Sequence, residues 1–248
     1  MAVNTAAAWL WSGRRAVITG RAAAALHRAR WVSDQAPIEL ISDCRRPPAG
    51  IITRDQRIGG DEVVQIRGMA VASVERTAFD LGRYLPSTTA VMHLDALGHA
   101  TGVTPAQVML FAQRYRGARG VRKLRAALAR MDAGSESPKE TWLRLLLIKQ
   151  GFPPPTTQIP LYDTFGEVSE RLDMGWEDMK IAVEYDGDQH RSDREQYVHD
   201  EERLRSIRAR GWLHIKVINE DQPAEIRARV RAAWELRERA FTLAAQVS

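Results

Sequence analysis

The chain has 248 residues, 44% apolar and 27% charged, with a formal net charge of +5. That composition supports a packed core and excludes a disordered or collagen-like chain. The single cysteine, Cys44, excludes an internal disulfide and any multi-cysteine zinc or iron–sulfur centre, and no apolar run reaches the ~18 residues of a membrane helix.

A reducing, cytoplasmic setting is the expectation from this cysteine usage. The opening MAVNTAAAWLWSGRR reads poorly as a signal peptide, because its apolar run is short and its arginines follow that run. Charge is unevenly spread. Residues 1–136 hold 19 Arg and Lys against 11 Asp and Glu, a net +8; residues 137–248 hold 17 against 20, a net −3. A basic half is what a phosphate backbone attracts, and it is also what a solvated, arginine-rich surface looks like.

In chain order, ITGRAAAALHRAR predicts a helix with Thr19 or Gly20 at its N-cap. PIELIS, GIITR and DEVVQIRG are β-like runs separated by turn residues. MAVASVERTAFDLGRYLP starts as a strand and turns at Ser73 into a helix that stops between Gly82 and Pro86. A short helix followed by strands is the pattern of a winged helix-turn-helix. Residues 86–131 read as helical throughout, with Thr104 and Pro105 as an N-cap and first-turn pair. Val121, Leu124, Leu128 and Met131 form an apolar stripe there. Arg122, Lys123, Arg125 and Arg130 occupy the remaining surface, and Arg114, Arg116 and Arg119 lead into it; this is the strongest local basic cluster, a candidate for tracking phosphates, with Arg119, Arg122, Lys123 and Arg125 as the candidate contacts, or a wet helix face.

DAGSESP is the clearest linker and places a domain boundary near residue 136. Residues 1–136 are therefore expected to form a mostly helical, winged-helix-like domain. Residues 137–248 follow the order α-β-β-β-α-β-α: a helix over 137–150, strands near 156–162, 167–174 and 180–187, a polar helix over about 192–210, the strand WLHIKVIN, and a last helix from Pro223. The expected class is α+β overall.

The strand IAVEYDG puts Ala182, Glu184 and Asp186 on one face and closes at Gly187. If GWEDMK joins it to VSERLDM as a hairpin, Asp173 lies opposite residues 182–184. Asp173, Glu184 and Asp186 then meet at one end of the sheet, and such carboxylates need a cation between them. Hard oxygen ligands suit Mg²⁺ or Mn²⁺, which would activate water against a phosphodiester; an arginine partner is the other solution. His190, just past the strand, is a candidate acid, base or phosphate contact. Glu140 is a further candidate, although Ser137-Pro138-Lys139-Glu140 also reads as a capping box.

RLDMGWEDMKIAVEYDGDQH within this order resembles the PD-(D/E)xK nuclease superfamily, and within it the very-short-patch-repair-like endonuclease domains. The resemblance covers roughly residues 137–220. It implies a restriction-endonuclease-like core, Mg²⁺-dependent hydrolysis of nucleic acid, double-stranded DNA first among the candidates, and catalytic roles for Asp173, Glu184, Asp186, His190 and Glu140. The superfamily's motif lysine, two residues after the second acid, is Asp186 here; Lys180, Lys216, His190 or an arginine of the 192–210 helix could stand in, or the site could be inactive. RGMAVASVERTAFDLGRYL is similar to a segment of AbiEi-type antitoxin proteins, in which a short hairpin runs into a helix carrying an Arg-Thr pair. That likeness implies a DNA-binding winged helix and a defence or toxin–antitoxin role with a cognate partner protein. The alternative is a regulator or antitoxin that binds DNA through a degenerate nuclease fold.

Overall fold

The computed structural model describes residues 1–187 and 194–247. The fold is α+β. The chain divides into two compact units, Met1–Thr141 and Trp142–Ser248. The division falls slightly beyond the expected position near 136, because the start of the boundary helix is tied into the first unit. There Thr141 Oγ1 donates to buried Asp95 at 2.9 Å.

The first unit runs α1 (Ala2–Trp11), β1 (Val17–Thr19), α2 (Gly20–Leu26), β2 (Ile38–Ile41), β3 (Ile51–Arg54), a 3₁₀ turn (Gly60–Glu62), β4 (Val63–Ile66), β5 (Met69–Ala72), α3 (Val74–Tyr84), α4 (Ser87–Thr101), α5 (Pro105–Ala112), a second 3₁₀ turn (Gln113–Tyr115) and α6 (Val121–Leu128). Its strands form one mixed sheet in the order β3-β2-β1-β5-β4. β1 is too short to show a period in sequence, yet it threads the centre, antiparallel to β2 and parallel to β5. β2 and β3 run parallel, so they do not make a hairpin wing. The hairpin is β4–β5, closed by Arg67 (φ 52°) and Gly68 (φ 77°) in the left-handed region that two-residue hairpin turns favour. It runs directly into α3, whose N-cap Ser73 accepts from the Arg76 amide.

α3 is buried on all sides from Arg76 to Arg83. Its charged side chains therefore have to find partners inside the protein. Arg76 donates to Asp80 (2.9 Å), Glu62 (2.7 Å) and Gln56 (2.8 Å). Arg83 donates to the other oxygen of Asp80 (2.6 Å), Thr19 Oγ1 also donates to Asp80 (2.8 Å), and Tyr115 donates to Glu62 (2.6 Å). The network reaches α6 as well: Arg83 donates to the Arg119 carbonyl at 3.3 Å. The next residue, Gly120, takes φ +88° and lies so close to α3 that a Cβ there would stand 2.7 Å from the Arg83 carbonyl oxygen.

The second unit continues from α7 (Pro138–Lys149) with β6 (Thr156–Tyr162), β7 (Val168–Trp176), β8 (Ile181–Tyr185), α8 (Arg194–Ala209), β9 (Leu213–Val217) and α9 (Pro223–Val247). Each element lies within a few residues of its sequence expectation. The sheet order is β6-β7-β8-β9, with β8 and β9 parallel and the other neighbours antiparallel. Leu143 and Leu147 of α7 and Ile226 and Val230 of α9 pack with Met174, Trp176, Ile181 and Val183. Ile207 of α8 packs with Ile159, Leu161, Leu172, Ala182 and Trp212. The sheet thus carries two cores, one for α7 and α9 and one for α8.

β7 and β8 are paired only from Trp176↔Ile181 to Met174↔Val183. Beyond that point β7 stays with β6 as far as Val168, and β8 stays with β9 as far as Tyr185. The two central strands fork, and the first residues past the last pair are Asp173 and Glu184.

The buried α3 network makes one strong prediction. Arg76→Met removes the guanidinium and leaves Asp80 and Glu62 inside the protein with one cation fewer. Breaking a buried pair from one side costs about 3–5 kcal/mol, so urea denaturation should show a midpoint drop corresponding to that loss. A loss below about 1 kcal/mol would mean that the network is solvated.

Candidate functional site: an acidic fork and a basic helix

Glu184 is 7% exposed, yet it is ionised. Burial alone would push its carboxyl up; hydrogen bonds from Arg203 and from His214 overcome that and hold it down to about 2. Arg203, from α8, makes a two-pronged contact with Glu184: Nη1 to Oε2 at 2.7 Å and Nη2 to Oε1 at 2.6 Å. His214 of β9 lies 2.5 Å from Oε2 through Nε2. An ionised carboxylate only accepts, so Nε2 is the protonated ring nitrogen. Arg203 Nη2 also donates to the Arg171 carbonyl at 3.0 Å, and its Nε lies 3.6 Å from Glu170 Oε2. The Arg203 guanidinium is held above its ordinary pKa by its hydrogen bond to Glu184, against burial and with help from the charges of Glu184, Glu170 and Asp173.

Asp173 closes the fork on the other side. Its Oδ2 accepts from the Tyr185 amide at 3.1 Å, so a side chain takes over where the β7–β8 ladder ends. By register Asp173 and Glu184 stand opposite each other just past the last β7–β8 pair, within the span of residues expected from sequence. Asp186 stands just past the end of β8. Its amide donates to Val217, and its carboxylate pairs with Lys216 of β9. The candidate substitutes for the missing lysine are thus spread out. Lys216 meets Asp186, an α8 arginine meets Glu184, and Lys180 lies at the far end of β8 with its ammonium 4.9 Å from the Trp212 ring centre.

His190 lies outside the described residues. Glu140 belongs to the first unit, where it serves as a cap: its amide donates to Ser137 Oγ at 3.1 Å and its carboxylate accepts from the Glu136 amide at 2.8 Å. Burial raises its pKa against those bonds. Among the described residues no group of three or more His, Cys, Asp or Glu side chains is spaced to hold a metal ion. The donor chemistry of the fork suits a hard cation, but both Glu184 oxygens are held by Arg203 and His214. As arranged, the fork does not fit a divalent ion.

Sequence reasoning left Glu170 and His214 out of the site and considered Arg203 only as one of the arginines of the 192–210 helix. Arg203 and Ile207 stand at i and i+4 on α8, and Arg210 follows at i+7 just past its end, continuing the same face. His214 and Lys216 alternate with the apolar Leu213, Ile215 and Val217 on β9. Both signals are visible once α8 and β9 are known to flank β8.

The second charged feature is α6. Val121, Leu124, Ala127 and Leu128 are buried, while Arg116, Arg119, Arg122, Lys123 and Arg125 are exposed. None of these five cations has an acidic partner among the described residues. The sequence has no acidic residue between Asp95 and Asp132, so no acid on their own segment stands within helical reach of them. Arg114, by contrast, is paired with Asp61 at 2.5 Å.

These features define an α+β protein of two units, one with an exposed basic helix and one with an arginine-filled acidic fork. Over 188 residues, 75% of this chain, it is 28% identical to the uncharacterized protein MT2308 of Mycobacterium tuberculosis (strain CDC 1551 / Oshkosh), 68% of which is covered. The same identity and coverage hold for the uncharacterized protein Rv2248 of Mycobacterium tuberculosis (strain ATCC 25618 / H37Rv). No family profile and no solved structure matches the chain.

The depressed Glu184 carboxyl sets an acid limit. Its folded pKa lies below the unfolded value of 4.5, so its contribution is fully present above about pH 4.5 and is lost as pH falls toward about 2. A shift of that size corresponds to roughly 3 kcal/mol. Glu184→Gln should lower stability at pH 7 and flatten the acid limb of a stability–pH curve between pH 5 and 2, read by urea titrations across that range. An unchanged acid limb would show that Arg203 does not hold an ionised Glu184.

Proposed function

We propose that the protein binds nucleic acid, with the exposed face of α6 as its phosphate-contacting surface. The observation that carries this reading is the set of five exposed, acid-free cations on and just before one helix. Cations without acidic partners among the described residues keep their attraction for a polyanion, and Arg122, Lys123 and Arg125 stand within one turn of α6, with Arg116 and Arg119 leading into it. The contact is to the backbone and gives affinity without base readout. Double-stranded DNA is the substrate that the family resemblance favours. A regulator or antitoxin role with a cognate partner protein belongs to the same reading.

A second reading is phosphodiester hydrolysis by the second unit with Mg²⁺ or Mn²⁺. It is favoured by the facing of Asp173 and Glu184 where β7 and β8 part, and by the α-β-β-β-α-β order around them. A bound divalent ion would activate water and neutralise a phosphate under attack. The carboxylates of this chain become available to one only if Arg203 withdraws from Glu184.

Fluorescence anisotropy with a labelled duplex separates the readings when it is paired with plasmid nicking. Arg122→Ala/Lys123→Ala/Arg125→Ala should weaken binding for all duplex sequences alike. It should reduce the slope of log K against log salt by about 2.7, because each of the three cations releases ~0.9 of a counterion when it neutralises a phosphate. An unchanged slope would remove α6 from the interface. Retention without nicking in Mg²⁺ and Mn²⁺ is the outcome expected of the first reading; nicking abolished by Asp173→Ala would establish the second.

A further inference from the structure

Two carboxylates stand against one cation at the fork: the Arg203 guanidinium bonds both oxygens of Glu184 and lies 3.6 Å from Glu170 Oε2, and the charge of Asp173 adds to the negative field there. Two features show that this position is built for a cation. Glu170 Oε2 is a buried oxygen with no hydrogen-bond partner among the described residues, and it lies 3.6 Å from Arg203 Nε. The strands also part where carbonyl oxygens would otherwise pair, and Arg203 Nη2 takes up one of them, the Arg171 carbonyl. Carboxylates and a backbone carbonyl around one positive centre make up the ligand chemistry of a hard divalent cation. Here an arginine from α8 supplies the charge instead, and its planar donors match the carboxylate pairwise.

We propose that Arg203 is the resident cation of the fork: its guanidinium occupies the place a divalent ion would take, so the native protein excludes Mg²⁺ and Mn²⁺ from this position and loss of Arg203 opens it to them. A divalent ion bound to Glu184 would stand directly beside the guanidinium that bonds both of its oxygens, and two positive centres at that separation oppose each other. Arg210, 4.0 Å from Glu170 and bonded to the Tyr162 carbonyl and Ser169, is anchored elsewhere and does not replace Arg203. The inference rests on the fork alone, and failure of α6 to bind DNA would leave it standing.

The test is calorimetric titration of the full chain with MnCl₂ at neutral pH, with thermal melting in EDTA and in Mn²⁺. Wild type should show no binding that Glu184→Gln removes. Arg203→Met should melt lower in EDTA, recover part of that loss in Mn²⁺, and bind Mn²⁺ at least tenfold more tightly than wild type. Arg203→Met/Glu184→Gln should lose that gain. Mn²⁺ binding to wild type that Glu184→Gln abolishes overturns the proposal, and so does an Arg203→Met protein that is folded but indifferent to Mn²⁺. If Arg203→Met does not fold, the comparison of wild type with Glu184→Gln decides: Glu184-dependent binding refutes the proposal and its absence upholds it.

Discussion

A carboxylate removed from water must meet a cation or take up a proton. Glu184 meets Arg203, and much of the second unit is arranged around that contact. α8 has to lie along the β8 side of the sheet to deliver the guanidinium, and Ile207, one turn further on, seals it there against Ala182 and Trp212. β9 has to run parallel to β8 so that His214 reaches the same carboxylate from the next strand. β7 has to part from β8 so that a side chain of that size fits, and Asp173 bridges the gap by accepting the Tyr185 amide. Each feature is ordinary by itself; the buried charge makes them mutually dependent.

The first unit meets the same constraint in a different setting. α3 is enclosed on every side, so Arg76, Asp80 and Arg83 form a closed network with Glu62, Gln56 and Thr19. Its consequence lies at the surface. By holding the Arg119 carbonyl, and with Gly120 pressed against α3, the network fixes where α6 begins. The direction of the basic face is therefore set by buried charges that never meet solvent. In both units arginines neutralise interior acids, while the cations of α6 are exposed and have no acidic partner among the described residues.

This division of charge separates two kinds of site. The α6 cations are exposed and unpaired, and such charges interact with a mobile polyanion over the distance salt screening allows. The fork carboxylates are enclosed and paired, and such charges give structure before they give chemistry. The register of β7 and β8 brings Asp173 and Glu184 opposite each other where the strands part. Whether that meeting serves a metal depends on the third participant, and in this chain it is a guanidinium.

Much of the architecture was legible along the chain, because its causes are local. Ser73, Thr104 and the Pro105 that follows it announced helix starts through their capping chemistry. Alternation placed β6 to β9, and the parity of IAVEY and VSERLDM brought Asp173 opposite Glu184. The arginines and Lys123 around the Val121, Leu124 and Leu128 stripe made the basic face of α6 visible in the sequence. β1 escaped because three residues carry no period, and the parallel pairing of β2 with β3 escaped because pairing direction leaves no trace in either strand. The cation beside Glu184 was settled only in three dimensions. Arg203 and His214 lie 19 and 30 residues from it, and they arrive because a helix packs over one face of the sheet and a strand joins its edge. Periodicity tells which way a side chain points from its own element, while the partner it meets depends on how elements pack.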